Sequence, residues 1–319
     1  MDVATHIDAQ RAATAAERLA PVRARLGEIW LGDSRVIDLA LIAPLARGHL
    51  LLEDVPGVGK TTLAKGLAIL LGLKFNRVQF TNDTLPGDVL GGSVYNPVDG
   101  SFNFVPGPIF TDMLLADEIN RAPTRSQSAF LQAMEEGFVA VDGVNHPLPP
   151  SFTVIATQNP IDFDSTNPLP EAQLDRFLIA TSLGYPSAEA EAALIQEDQS
   201  DLSQVMAEIS EADLLDIRNG VEQVYLHPDL TAYLVTLARQ TREDDRIRLG
   251  ISPRAVMHLA SAAKASALLD GRTTVSGDDI QWLLPAVWGH RLLPRHGRQE
   301  AGLAKALLAE LVESVPLPR

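Results

Sequence analysis

The segment Leu51 to Leu67, "LLEDVPGVGKTTLAKGL", limits the possible folds more than any other stretch of this chain. An apolar run ends at Asp54, a loop containing Gly57 and Gly59 follows, and a good helix sequence starts at Lys60. Glycines let a backbone turn tightly with several N–H groups aimed at one point, and the following helix N-terminus adds a dipole that favours anions. The loop Pro56, Gly57, Val58, Gly59, running into Lys60, Thr61 and Thr62, is therefore a candidate cradle for a triphosphate. In it Lys60 neutralises the outer phosphates and Thr61 offers a hydroxyl to Mg²⁺. The motif G-x-x-x-x-G-K-[ST] asks for glycine at position 54, where this chain has Asp54. An aspartate tolerates unusual backbone angles better than most residues. Its carboxylate is expected to point away from the phosphates, so Asp54→Gly is expected to leave triphosphate affinity nearly unchanged.

Around this loop the chain alternates in type. "KFNRVQF" alternates like a strand, and "HLLLED", "DMLLAD", "FTVIATQ" and "RFLIATSL" are short apolar runs bounded by polar or turn residues, the pattern of buried parallel strands. Helical sequence lies between them, including Thr124 to Gly137, where Thr124 and Gln127 are spaced as a capping box and Phe130 and Met134 share a face. Two hairpins interrupt the rhythm, one about Asp99-Gly100 and one about Asp142-Gly143. Residues 1 to about 45 read as helical. From Ser187 onward the periodicity is helical with no convincing strand, and a helix capped by Ser252, opened by Pro253 and followed by Gly271 is the clearest element there. A boundary near residue 186 divides the chain into 1–186, an α/β nucleotide-binding part with N-terminal helices, and 187–319, a helical part.

The acids come next. "MLLADEIN" delivers Asp117 and Glu118 at the C-terminal end of an apolar strand, the edge where ligands bind in open α/β sheets. One acid can complete a Mg²⁺ shell while its neighbour polarises an attacking water. Asn159 ends another strand; it either holds that water and the γ-phosphate or simply forms the turn before Pro160. Arg176, in "NPLPEAQLDRF", is on spacing alone a surface arginine in a salt bridge, or else a cation for transition-state charge. Arg254 stands in the first turn of its helix, unfavourable against the dipole unless it meets an anion.

Composition narrows the choices. A formal net charge of −15 over 319 residues counts against broad adhesion to nucleic acid or anionic lipid. The absence of cysteine excludes disulfides and Cys-ligated metal. The acids and arginines of the N-terminus are unlike a signal peptide, and the most apolar region, from Val36 to Leu52, is broken by Asp38, Arg47 and His49. A soluble cytoplasmic protein is expected. His290 and His296 read as structural.

"GHLLLEDVPGVGKTTLAK", "FVPGPIFTDMLLADEINRAP", "ATQNP", "LPEAQLDRF", "LGISPRA" and "GHRL", in this order, resemble segments of AAA+ ATPases of the MoxR family. The resemblance implies a P-loop core with a parallel five-stranded sheet between helices, hairpin inserts and a C-terminal all-α lid. It makes Lys60 and Thr61 the Walker A residues, Asp117 and Glu118 Walker B, and Asn159 sensor 1. Arg176 becomes an arginine finger acting in trans and Arg254 sensor 2, with Gly32 of "IWLGD" lining the adenine pocket. It further implies Mg²⁺ and ATP, a hexameric ring, and remodelling of partner proteins that often carry a von Willebrand factor A domain. Tyr95, Phe102 and Phe104 either pack their hairpin or meet the substrate. The competing readings are a nucleic-acid motor and a nucleotide-dependent interaction module with little turnover.

Overall fold

The computed structural model describes residues 6–98, 100–159, 166–189, 191–192, 202–295 and 302–318. Asp99, Pro160 and His296 lie outside the described residues. The strands in chain order are β1 (Leu50–Glu53), β2 (Phe75–Gln79), β3 (Gly91–Asn96), β4 (Ser101–Pro106), β5 (Met113–Asp117), β6 (Phe138–Val141), β7 (Val144–Pro147), β8 (Thr153–Gln158) and β9 (Ile179–Thr181). The four apolar runs and the alternating segment form one sheet of order β2-β5-β8-β1-β9, and every pairing in it is parallel.

Side chains alternate between the two sheet faces, so the apolar runs feed two cores. Leu50 and Leu52 enter one with Met113, Leu115 and Ile155, while Leu51 enters the other with Leu114, Ala116 and Val154. The first face is covered by α1 (Ala9–Ile29), α2 (Ser34–Leu45) and α3 (Lys60–Leu70), and the second by α4 (Pro86–Leu90) and α5 (Thr124–Glu136). In α1 the buried residues Ala12, Ala15, Leu19, Val22, Leu26 and Ile29 form one stripe of helical spacing. Beyond the short α6 (Glu171–Leu174) the chain is mostly helical: α7 (Glu211–Gln223), α8 (Pro228–Glu243), α9 (Pro253–Leu269), α10 (Gly277–Trp288) and α11 (Leu303–Ser314). α1 packs against both α3 and α9, so the N-terminal helix touches both the sheet-bearing part and the helical part of the chain.

Two sequence expectations are corrected. The C-terminal part contains an antiparallel pair, β10 (Ile247–Leu249) with β11 (Leu293–Pro294). Segments this short carry too few residues for alternation to show in the sequence. Thr124 and Gln127 do not form a capping box. Thr124 is already helical and Pro123 occupies the cap position, while the buried Gln127 amide donates to the carbonyls of Ile119, Ala122 and Asn167. It ties the helix start to neighbouring loops instead.

Both hairpins form. At the second turn Asp142 and Gly143 have φ of 50° and 79°, the conformation that two-residue hairpin loops require. The hairpins lean on each other: Ser93 Oγ donates to Asp142 at 2.5 Å, and the Phe104 ring stacks on His146 at 3.8 Å. Phe104 is thus part of the hairpin packing. Tyr95 and Phe102 contact each other across β3 and β4 yet stay exposed.

Arg218 on α7 joins the helical part to the sheet. Fully buried, it donates to Pro44 O at 2.7 Å, Pro150 O at 2.8 Å, Ser151 O at 3.1 Å and Thr153 Oγ1 at 3.0 Å. Burial lowers its pKa to about 10, so it stays charged. Arg218→Met strips these acceptors of their donor and is expected to cost about 3 kcal/mol in urea denaturation; a loss below about 0.5 kcal/mol contradicts this role.

Candidate functional site

Parallel strands end together, and the C-terminal ends of β1, β5 and β8 bring the motif residues to one edge of the sheet. A cleft of about 360 Å³ there is lined by Pro56, Gly57, Gly59, Lys60, Thr61, Thr62, Arg77, Gln79, Asp117, Glu118 and Asn159. A larger cleft of about 630 Å³ lies elsewhere, near Asp38 and Trp282, and holds none of these residues. The chemistry selects the smaller one.

Gly57 and Gly59 have φ of 90° and 87°, and a Cβ at Gly57 meets open space, so the loop needs glycine for its backbone angles. Gly59 caps α3 without a side chain, leaving the first-turn amides of the helix uncapped from within. Lys60 Nζ donates to the carbonyls of Asp54 at 2.7 Å and Val55 at 3.2 Å, which arches it back over the loop. Burial lowers its pKa, and the charges of Asp54, Asp117 and Glu118 oppose that shift.

Thr157 organises the two acids. Its hydroxyl donates to Asp117 Oδ1 at 2.6 Å and accepts from Glu118 N at 2.9 Å. Arg77 grips the other Asp117 oxygen at 2.6 Å. Glu118 sits in the left-handed region, φ 55° and ψ 47°, a costly conformation for a residue with a Cβ and a frequent one at functional sites. Its carboxylate accepts from Gln79 Nε2 at 2.8 Å and lies 3.2 Å from Arg121 Nε. Asn159 follows β8, and its carbonyl accepts from Asn120 Nδ2 at 3.2 Å.

A second cavity, about 390 Å³, adjoins the loop on its other side. Trp30, Gly32, Gly57, Val58, Gly59, Thr62, Leu183, Gly184 and Pro186 are among its lining residues. The Trp30 ring fills the space beside Gly32, where a Cβ would fall 2.0 Å from it. Trp30 Nε1 points at Val58 O, 3.4 Å away.

Arg176 and Arg254 do not line either cavity. Both meet Glu135 on α5: Arg176 Nε lies 2.8 Å from one carboxylate oxygen and Arg254 Nη2 bonds the other. Next to them, Asp175 accepts from Ser252 Oγ at 3.0 Å and from the buried Arg291 at 2.8 Å. That contact joins the segment carrying Arg176 to the cap of the helix carrying Arg254. Trp30, Arg77, Gln79, Thr157 and Glu135 escaped the sequence reading. Arg77 and Gln79 had one signal, polar residues two apart on a strand, in register with Leu115 and Asp117.

The profile described as "ATPase family associated with various cellular activities (AAA)" matches residues 49–179, and that of the AAA lid domain matches 239–311. The chaperone MoxR1 of Mycobacterium tuberculosis is 36% identical over 301 residues, 91% of this chain and 80% of that protein. The chain belongs to the MoxR family of AAA+ ATPases. Another relative, the uncharacterised YeaC of Bacillus subtilis, is 42% identical over 296 residues and 92% of each chain. The crystal structure of a protein from Cytophaga hutchinsonii, assigned provisionally as an ATPase, superposes with a TM-score of 0.89 at 33% identity, covering 97% of this chain and 98% of that one.

In this MoxR-family chain the segment "GHRL" meets a neutral histidine through Arg291. His258 Nδ1 faces Arg291 Nη2 at 2.5 Å, so it must accept. Burial, then the charges of Arg291 and Arg254, lower its pKa from 6.5 to about 3. The unfolded chain takes up this proton near pH 6.5 while the folded one resists it, so stability falls as the pH drops below that value, by up to about 1.4 kcal/mol per pH unit. Thermal melts between about pH 7 and pH 5 should show this slope, shallower in His258→Asn. An equal slope in the variant contradicts the assignment.

Proposed function

We propose that this chain is a Mg²⁺-dependent ATP hydrolase that works as a ring, six-membered as in the family resemblance, to remodel partner proteins in the cytoplasm. The observation that carries the reading is the convergence of Lys60, Thr61, Asp117, Glu118 and Asn159 on one cleft beside uncapped helix amides. The division into 1–186 and 187–319 belongs to the same proposal, as nucleotide-binding part and lid.

Thr61 and Asp117 present a hydroxyl and a carboxylate to the same cleft, hard oxygen donors of the kind Mg²⁺ takes, and these residues would hold it. The ion, when bound, neutralises phosphate charge. The loop amides and Lys60 hold the phosphates, and the cavity beside Trp30 and Gly32 receives the base. Glu118 accepts the proton of a water whose oxygen attacks the γ-phosphorus, while the bond to the β-phosphate oxygen breaks and ADP leaves. Asn159 orients that water. Gln79 and Arg121 set the direction of the Glu118 carboxylate.

Arg176 and Arg254 lie together on Glu135, away from this chain's own cleft. That grouping supports both acting on the cleft of a neighbouring copy, where they would stabilise transition-state charge. The exposed Tyr95–Phe102 pair supports contact between the first hairpin and a client. Proteins with a von Willebrand factor A domain are the client class the family suggests, and the MoxR1 relative bears the name chaperone. The net charge of −15 weighs against a nucleic-acid track.

Glu118→Gln should keep ATP binding and lose phosphate release by roughly 100-fold or more. Steady-state phosphate release and nucleotide titration check this together. A variant that turns over at the parent rate removes Glu118 from the role of base.

A further inference from the structure

The place where the motif departs from its usual form has a second partner in the fold. Asp54 follows β1, is 9% exposed, and turns its carboxylate away from the phosphate cleft. Oδ2 accepts from the backbone N–H of Leu183 and, at 3.3 Å, from that of Gly184. These two residues form the exit from β9, and Gly184 has a φ of 70°. Both also line the 390 Å³ cavity, opposite Gly57, Val58 and Gly59.

We infer that Asp54 is a positioning residue for nucleotide recognition: its carboxylate pins the Leu183–Gly184 exit to the start of the phosphate loop and so builds one wall of the base cavity. The inference rests on the ATP reading above and extends it to a residue that touches no phosphate. The tie is short in space and long in sequence, 129 residues for Leu183. A buried carboxylate that accepts two amides is well satisfied, and removing it leaves both donors without that partner. Backbone strain does not explain the residue, since Asp54 is absent from the positive-φ positions among the described residues. The inference runs against the expectation that glycine would serve equally at position 54.

Asp54 also acts on Lys60 through its charge. Losing the carboxylate frees the wall of the base cavity and, at the same time, removes an anion near the phosphate cradle. The two ends of the nucleotide should respond with opposite signs. A residue that merely shaped the loop would affect both ends alike.

Titration calorimetry of the full chain with MgATP and with magnesium tripolyphosphate separates the two. Asp54→Gly should weaken ATP binding about tenfold while tripolyphosphate binds equally well or more tightly. Asp54→Asn, which keeps an acceptor for the amides, should hold ATP within about threefold of the parent. Retained tripolyphosphate binding shows that the glycine variant is folded. Unchanged ATP affinity in Asp54→Gly overturns the inference, and so does an equal loss for both ligands. A parent chain that binds no ATP overturns the underlying functional reading as well, and shows it before any variant is made.

Discussion

The register of β1 between β8 and β9 is the constraint on which the rest depends. Leu50 to Leu52 are buried on both faces, and their pairing with Ile155, Ala156 and Thr157 on one side and Ile179 to Thr181 on the other sets where the chain leaves the sheet. A slip of one residue would send Leu51 to the wrong core and carry Asp54 away from Leu183. On the other side of β8, its pairing with β5, Ala116 against Ala156, places Thr157 beside Asp117, so one hydroxyl serves both acids. Packing and chemistry share one geometric origin here.

Electrostatics then sorts the site into two groups. Around the phosphate loop, Lys60 faces Asp117 and Glu118, and each acid is restrained by a further partner, Arg77 or Gln79. On the far side of α5, one carboxylate, Glu135, holds Arg176 and Arg254 together. In a chain built this way the cleft with Lys60, Asp117 and Glu118 and the pair of arginines do not meet within one copy. Arg291 and Asp175 fix the relative position of the two arginine-bearing segments through contacts that are largely buried.

Much of this was legible in the sequence. Four strands of the sheet show as apolar runs, because a strand covered on both faces is apolar nearly throughout, and the edge strand β2 shows instead as alternation. Gly57, Gly59, Lys60, Asp117 and Glu118 show because local spacing alone gives them meaning. What escaped depends on contacts between distant segments. Trp30 reaches the loop across 28 residues, and the role of Gln127 depends on the carbonyls of Ile119, Ala122 and Asn167, which its spacing from Thr124 does not show. β10 and β11 were too short to leave a pattern. Arg254 was legible as a cation in need of an anion; that its partner is Glu135, shared with Arg176, depends on how α9 packs beside α5.

The central claim is that the cleft of one copy is completed by arginines of another. If so, Lys60→Ala should disable the phosphate loop, and Arg176→Ala should remove the proposed finger while leaving that loop intact. Each variant alone should release almost no phosphate from ATP. Mixed in equal amounts, they can form interfaces that pair an intact loop with an intact finger, and phosphate release should then rise well above the sum of the separate rates. A mixture no more active than its components, in a preparation where the parent chain hydrolyses ATP, contradicts a shared site.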